Sequence, residues 1–296
     1  MYKSGFVSIV GRPNAGKSSL LNQLVGEKIA IVTDKPQTTR DAIIGVRTAD
    51  DHQIIYIDTP GIHKPKHELG QRMNFASYQH FKGVDIIYYM MDGSQELGKG
   101  DRFVMKRLKE TKIPVFLLIN KTDLMTKESL HERITELSVE GFSEIIPISV
   151  KENSNLLALL NTTLTYLEEG PQYYPADQVS AYPQQFIISE IIREKIIELT
   201  QEEIPHSVAV AIESIRHKDK VTVISAVIFV NRASQKGMII GKQGKMIREI
   251  GQRAREELET LLQRKVFLET HVRVEEDWRN RQKMLNQLGY VIEEND

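Results

Sequence analysis

Lys17 and Ser18 close the run Gly11-Arg12-Pro13-Asn14-Ala15-Gly16-Lys17-Ser18, which fits G-x-x-x-x-G-K-[ST] at every fixed position. The chemistry that this spacing supports is the cradling of phosphates. Gly11 and Gly16 allow backbone geometry that a side chain would forbid, so the loop N–H groups turn inward. Lys17 is placed to reach the β- and γ-phosphates, and the Ser18 hydroxyl to ligate Mg²⁺. Ser19 continues into a helix-like stretch, whose N-terminus favours an anion in front of it. A nucleoside triphosphate is therefore the expected ligand.

Three further groups bear on which triphosphate. Asp58-Thr59-Pro60-Gly61 follows an apolar run at 53–57. An aspartate there holds Mg²⁺ through water, and the Gly61 amide meets a γ-phosphate. Asn120-Lys121-Thr122-Asp123 follows the run at 115–119. The Asp123 carboxylate can accept two hydrogen bonds from the N1–H and 2-amino group of guanine. Adenine lacks that donor pair and would leave a buried acceptor unpaired, which discriminates by orders of magnitude. Ser149-Val150-Lys151 follows the run at 145–148 and could finish the base pocket. Asp123 thus separates a GTPase from an ATPase.

The elements that must hold these groups follow a simple alternation. Short apolar runs at 6–10, 43–47, 53–57, 85–91, 115–119 and 145–148 are separated by amphipathic stretches such as 102–109, 130–137 and 156–167. That order predicts an α/β domain with a mostly parallel sheet and helices on both faces. Ligands of such sheets bind beyond the carboxyl ends of the strands, where all four groups fall. The domain is expected over 1–170. Gly170, Pro171, Pro175 and Pro183 then favour an extended linker at 171–183.

Beyond the linker the pattern changes. A helix is predicted at 187–199, strands at 208–215 and 221–230, a long helix at 245–262 and a strand at 266–274. This second unit, 184–296, reads as a small α+β domain. Gly241-Lys242-Gln243-Gly244 precedes its long helix, a G-x-x-G loop of the kind that grips about four nucleotides of single-stranded RNA. Nine Lys/Arg against four Glu lie between Arg232 and Lys265, although the whole chain has a net charge of −1. A local basic face on a near-neutral chain is an electrostatic footprint for nucleic acid. The RNA contacts expected are Ile240, Gly241, Lys242, Gln243, Gly244, Lys245 and Arg248. The loop resembles that of KH domains, and this likeness implies that aliphatic residues such as Ile239, Ile240 and Ile247 would line a base groove. A second domain that docks on protein or membrane partners is the competing possibility.

Composition removes some classes. The 296 residues contain no cysteine, so disulfides and thiolate zinc sites are excluded. No run of about 18 apolar residues suggests a membrane span. His63 and His67 are four apart, but Pro65 between them and the lack of a third ligand argue against a metal site.

The four groups of the first domain, in this order and at strand ends, resemble the GTPase family of P-loop proteins. That resemblance implies GTP/GDP, Mg²⁺ and two switch segments. Switch I would span 31–41, with Thr39, or alternatively Thr38, reaching Mg²⁺ beside Ser18 and Asp58. Switch II would begin at Gly61. Many small GTPases place a water-orienting glutamine after that glycine; Ile62 stands there and cannot do this, so slow intrinsic hydrolysis is expected. The loop G-R-P-N-A-G-K-S resembles the Era branch of bacterial GTPases. In parts of that branch an asparagine at the position of Asn14 helps to bind K⁺; the other possibility is that Asn14 only shapes the loop. Lys17, Asn14, Thr39 and Gly61 are the groups expected at the reaction.

The G-x-x-G loop after a helix and two strands resembles the KH type II domain. Across both domains the chain is similar to the Era family of ribosome-assembly GTPases. The stretch from Asp58 to Gly70, residues 237–251 and Asp277-Trp278-Arg279-Asn280 carry that likeness. It implies binding to small-subunit ribosomal RNA near its 3′ end and to the assembling small subunit. It also implies peripheral contact at the inner face of the cell membrane; a cytoplasmic location is the simplest reading of the composition, and a monomer is expected.

Overall fold

The computed structural model describes residues 1–33, 42–58, 83–200 and 204–288, the side chain of His206 excepted. Two units divide the described residues: 1–30, 42–58 and 83–181 in the first, 31–33, 182–200 and 204–288 in the second.

The first unit is built on six strands: β1 (Lys3–Gly11), β2 (Ile43–Thr48), β3 (His52–Asp58), β4 (Ile86–Asp92), β5 (Val115–Asn120) and β6 (Glu144–Pro147). Their order is β2-β3-β1-β4-β5-β6. All pairs are parallel except β2 with β3. β3 and β5 are buried along their whole length, which is why they read as continuous apolar runs rather than as alternating ones. The helices are α1 (Lys17–Val25), α2 (Lys99–Leu108), α3 (Lys127–Ser138) and α4 (Leu156–Tyr166). In α2 the buried residues Asp101, Val104, Met105 and Leu108 recur at helical spacing. Because β1, β3, β4 and β5 run the same way, Gly11, Asp58, Asp92 and Asn120 all finish at one edge of the sheet.

Residues 171–181 are extended, as the prolines require, and they are also docked. The buried Gln53 accepts from the N–H groups of Tyr173 (2.7 Å) and Tyr174 (2.9 Å) and donates to the Tyr174 carbonyl (2.9 Å). Val46 donates its N–H to Val179 at 2.9 Å. This strap satisfies the backbone of the edge strand β2, which would otherwise offer open pairing positions.

The second unit contains α5 (Gln184–Leu199), the single turn α6 (Ile204–Ser207), β7 (Ala209–His217), β8 (Val221–Val230), α7 (Ala233–Ile240), α8 (Lys245–Leu262), β9 (Lys265–Val274) and α9 (Gln282–Gln287). The sheet order is β7-β8-β9, antiparallel then parallel. Ile188, Ile192 and Ile196 of α5 meet Ile224 and Ile228 of β8 and Ile250, Ala254 and Leu258 of α8 in one core. Ile239 belongs to this core and is fully buried, so it is not a groove residue. An aliphatic residue beside the loop met both descriptions, and the helical turn of α7 points it inward. Trp278 fills the end of the unit, donating its indole N–H to the Ser207 carbonyl at 2.9 Å. Between α5 and α8, Lys195 pairs with Glu194 and with Glu257, both at 2.8 Å. Burial pulls the Lys195 ammonium down, but the two carboxylates outweigh it and hold its pKa above the ordinary lysine value. Val32, grouped with this unit, donates its N–H to Glu194 at 2.8 Å.

Candidate functional site

The phosphate loop leaves β1 through two positions where only glycine fits. A Cβ on Gly11 would lie 2.2 Å from the Met90 carbonyl oxygen, and one on Gly16 2.5 Å from the Asn120 side-chain nitrogen. Gly16 has φ 102 and leads directly into α1, so the helix N-terminus faces the loop. Lys17 is buried and donates from Nζ to the Arg12 carbonyl at 3.0 Å, across the mouth of the loop. Burial lowers its pKa, and the nearby Asp58 carboxylate opposes that only in part. A buried ammonium of this kind is stabilised by an anion placed in the loop.

Ser18 donates its hydroxyl to Asp58 Oδ2 at 2.6 Å, and Asp58 is fully buried at the end of β3. The contact brings two hard oxygen donors together beside the loop, the donor chemistry that Mg²⁺ takes alongside waters and phosphate. Ser18 and Asp58 therefore fit the ion predicted for them. Thr38 and Thr39 of the expected switch I, and Thr59, Pro60, Gly61 and Ile62 of the expected switch II, lie outside the described residues. So do His63 and His67. Among the described residues no cluster of three or more His, Cys, Asp or Glu could hold a metal ion.

Asn120 joins the phosphate loop to the base side. Its amide nitrogen donates to the Ala15 carbonyl at 2.8 Å, and its oxygen accepts the Val150 N–H at 3.1 Å. Ser149 donates to Asp123 Oδ1 at 2.6 Å, which fixes a carboxylate that is otherwise exposed. Thr122 donates its hydroxyl to the Ile148 carbonyl at 3.0 Å, tying the two loops together. Lys151 is exposed and, among the described residues, paired only with Glu152, at 3.7 Å. The 149–151 segment thus enters the site through the Ser149 hydroxyl and the Val150 amide rather than through the Lys151 charge. Asn14 adopts φ 64 in the loop.

Two acids were missed in the sequence. Asp92 ends β4 opposite Asn120 and accepts from Lys121 Nζ at 2.7 Å. Burial alone would push its carboxyl up; Lys121 and Ser94 overcome that and hold it below the usual carboxylate range. Asp101, buried in α2, accepts from Arg12 of the phosphate loop at 2.8 Å and from the Gly98 N–H at 3.0 Å. The signal for Asp92 was an acid ending the strand next to the one that carries Asn120. For Asp101 the signal was an acid in the first turn of a basic helix.

In the second unit, α7 is capped by Gly241 with φ 70 and ψ 173, and Gln243 (φ 54) and Gly244 (φ 71) follow in the left-handed helical region. A Cβ on Gly241 would come within 2.6 Å of Met246 Cβ, so the loop can pass over α8 only there with glycine. Lys242, Gln243 and Lys245 are exposed and Ile240 is half-buried. Arg248 folds back, donating to the Gln243 carbonyl at 2.6 Å and the Gly244 carbonyl at 3.1 Å. It braces the loop and adds its charge to it.

Residues 6–121 match the family model of the 50S ribosome-binding GTPase, and residues 203–279 that of the KH domain. The chain is 50% identical over 292 residues to GTPase Era of Staphylococcus haemolyticus, covering 98% of either chain. It is similar to a crystal structure of Era in complex with MgGDPNP and nucleotides 1506–1542 of 16S ribosomal RNA, with TM-score 0.95 and 39% identity over 99% of this chain and 100% of that one. A variant of Aquifex aeolicus Era bound to GDP and AlF4⁻ gives TM-score 0.94 and 39% identity over 98% of this chain and 100% of that one. With half of its residues identical along nearly the whole of both lengths, the chain belongs to the Era family of GTPases.

Proposed function

We propose that this chain is a GTP-binding and GTP-hydrolysing switch that binds single-stranded small-subunit ribosomal RNA near its 3′ end and acts in small-subunit assembly. The observation that carries this is the joint presence of two sites. One unit holds Lys17, Ser18, Asp58, Asn120 and Asp123 at one sheet edge, and the other holds the Gly241–Gly244 loop. Asp123 takes the guanine edge, Lys17 the phosphates, and Ser18 with Asp58 holds Mg²⁺, which when bound offsets charge that develops on the phosphates. Thr39, with Thr38 as the alternative, is assigned to the same ion in the GTP state. A K⁺ beside Asn14 is part of the proposal, supported by the loop sequence, because it would supply positive charge where negative charge develops on the phosphates. Cytoplasmic residence with peripheral contact at the inner membrane face is carried by the family likeness; among the described residues no helix is long and apolar enough to cross a membrane.

GTP is expected to set the affinity for RNA, since one short strap joins a nucleotide unit to an RNA unit. The second unit also takes in the first residues of the expected switch I. Titration of the full chain with a 3′-end RNA fragment, once with a non-hydrolysable GTP analogue and once with GDP, tests this. At least a fivefold difference is expected, and equal affinities within error would overturn the coupling.

A further inference from the structure

We infer that the outward face of α2, in the GTPase unit, is a second RNA-contacting surface, distinct from the Gly241–Gly244 loop. Residues Lys99, Arg102, Phe103, Lys106 and Arg107 fall at helical spacing on the side of α2 opposite its buried Asp101, Val104 and Leu108. All five are exposed, Phe103 at 48%. The Arg107 guanidinium lies 5.8 Å from the Phe103 ring centroid. An aromatic ring set among cations suits a nucleic-acid strand: the cations meet phosphates and the ring offers a face on which a base can stack.

The pattern is not that of an ordinary solvated helix face. Such faces gain from opposite charges three or four residues apart. Here Arg102 and Lys106 are four apart and of like sign, and Lys99 opposes the positive helix N-terminus. Among the described residues the side chains of Lys99, Arg102 and Lys106 have no ion-pair partner. Other helices of this chain behave differently. In α8, next to the G-x-x-G loop, Arg253 pairs with Glu249 at 2.6 Å and Arg255 with Glu259 at 3.1 Å. Among the described residues three of the four cations of the α2 stripe stay unpaired, with Arg107 alone meeting Glu110, at 3.8 Å, in a chain whose net charge is −1.

The stripe is also held in place from behind. Asp101 accepts from the Gly98 N–H and from Arg12, and the buried Tyr89 hydroxyl lies 3.4 Å from its other oxygen. The helix is therefore pinned to the end of β1, and its outer face is presented from a fixed base. The occupant is RNA rather than an acidic protein because a lone exposed aromatic flanked by cations at one-turn spacing matches a repeating phosphate with interleaved bases.

The assignment rests on the RNA-binding reading above, and the experiment separates the two. Full-length wild type, R102E/K106E and F103A are titrated with a single-stranded hexanucleotide and with a structured fragment of about 40 nucleotides from the small-subunit RNA 3′ region, in parallel with GTP binding. R102E/K106E is expected to weaken the long RNA at least tenfold and to lower its salt dependence by roughly two phosphate contacts. It should leave the hexanucleotide and GTP affinities unchanged. F103A is expected to weaken the long RNA about fivefold or more, the scale of one lost base stack. Unchanged long-RNA affinity in R102E/K106E overturns the assignment; if that variant then fails only against intact small subunits, the stripe faces protein. A wild-type chain that binds neither RNA overturns the RNA-binding reading itself.

Discussion

Lys17 shows how a single side chain carries a functional demand as a structural cost. Lys17 is buried at 6% exposure, and among the described residues its ammonium has one oxygen partner, the Arg12 carbonyl, 3.0 Å away. Burial lowers its pKa below 10.5, and Asp58 restores only part of that. The unfolded chain therefore binds more protons than the folded one between the lowered pKa and 10.5. Stability of the nucleotide-free chain should rise as pH climbs through that window, and below it the full cost of the buried charge remains. Lys17→Met removes the charge and keeps the stem. It should leave the melting temperature of the nucleotide-free chain unchanged or higher, while GTP affinity falls at least about 100-fold. Calorimetry and a fluorescent-GDP titration would check the two halves; a large drop in melting temperature would mean that Lys17 holds the fold rather than waits for phosphate. Lys17, Asn120 and Asp123 were legible in the sequence because phosphate and guanine fix both residue type and spacing. Asp92 and Asp101 were not, because their partners Lys121 and Arg12 stand 29 and 89 residues away and only the tertiary fold joins them.

At the scale of elements, the two glycines of the G-x-x-G loop are not equivalent. Both have positive φ, 70 at Gly241 and 71 at Gly244. A Cβ at Gly241 meets Met246 Cβ at 2.6 Å and the Met246 backbone nitrogen at 3.0 Å, whereas at Gly244 the nearest atom is 3.9 Å away. Gly244→Ala then costs only the left-handed backbone, roughly 1 kcal/mol, and Gly241→Ala adds a clash with the first turn of α8. Gly244→Ala should keep most RNA affinity, and Gly241→Ala should lose at least tenfold with a larger drop in melting temperature. The reverse ranking would show that close approach of RNA, not packing on α8, demands glycine. Period and turn residues made most elements readable, including the parallel sheet and the long helix at Lys245–Leu262. The strap at 171–181 was readable only as extended chain, since nothing local tells Gln53 to bond Tyr173 and Tyr174 some 120 residues later. Ile239 was ambiguous because core and groove ask for the same side chain, and only the orientation of α7 decides between them.

Across the whole molecule, charge is arranged rather than accumulated. A net charge of −1 gives no overall attraction to nucleic acid, yet nine cations face four carboxylates between Arg232 and Lys265. Salt dependence distinguishes a local footprint from the average. A loop that grips about four nucleotides should release counterions with a slope of about −0.7 per phosphate, or roughly −3 in log affinity against log salt. For the full chain and a single-stranded hexanucleotide, binding should weaken by about 50-fold between about 50 and 200 mM salt. The double substitution Lys242→Asp with Gln243→Asp removes one cation and adds two carboxylates where phosphate approaches, so it should abolish that binding while leaving GTP affinity intact. If the wild-type affinity stayed flat across this salt range, the average charge would govern after all, and the basic face around Gly241–Gly244 would be solvated surface.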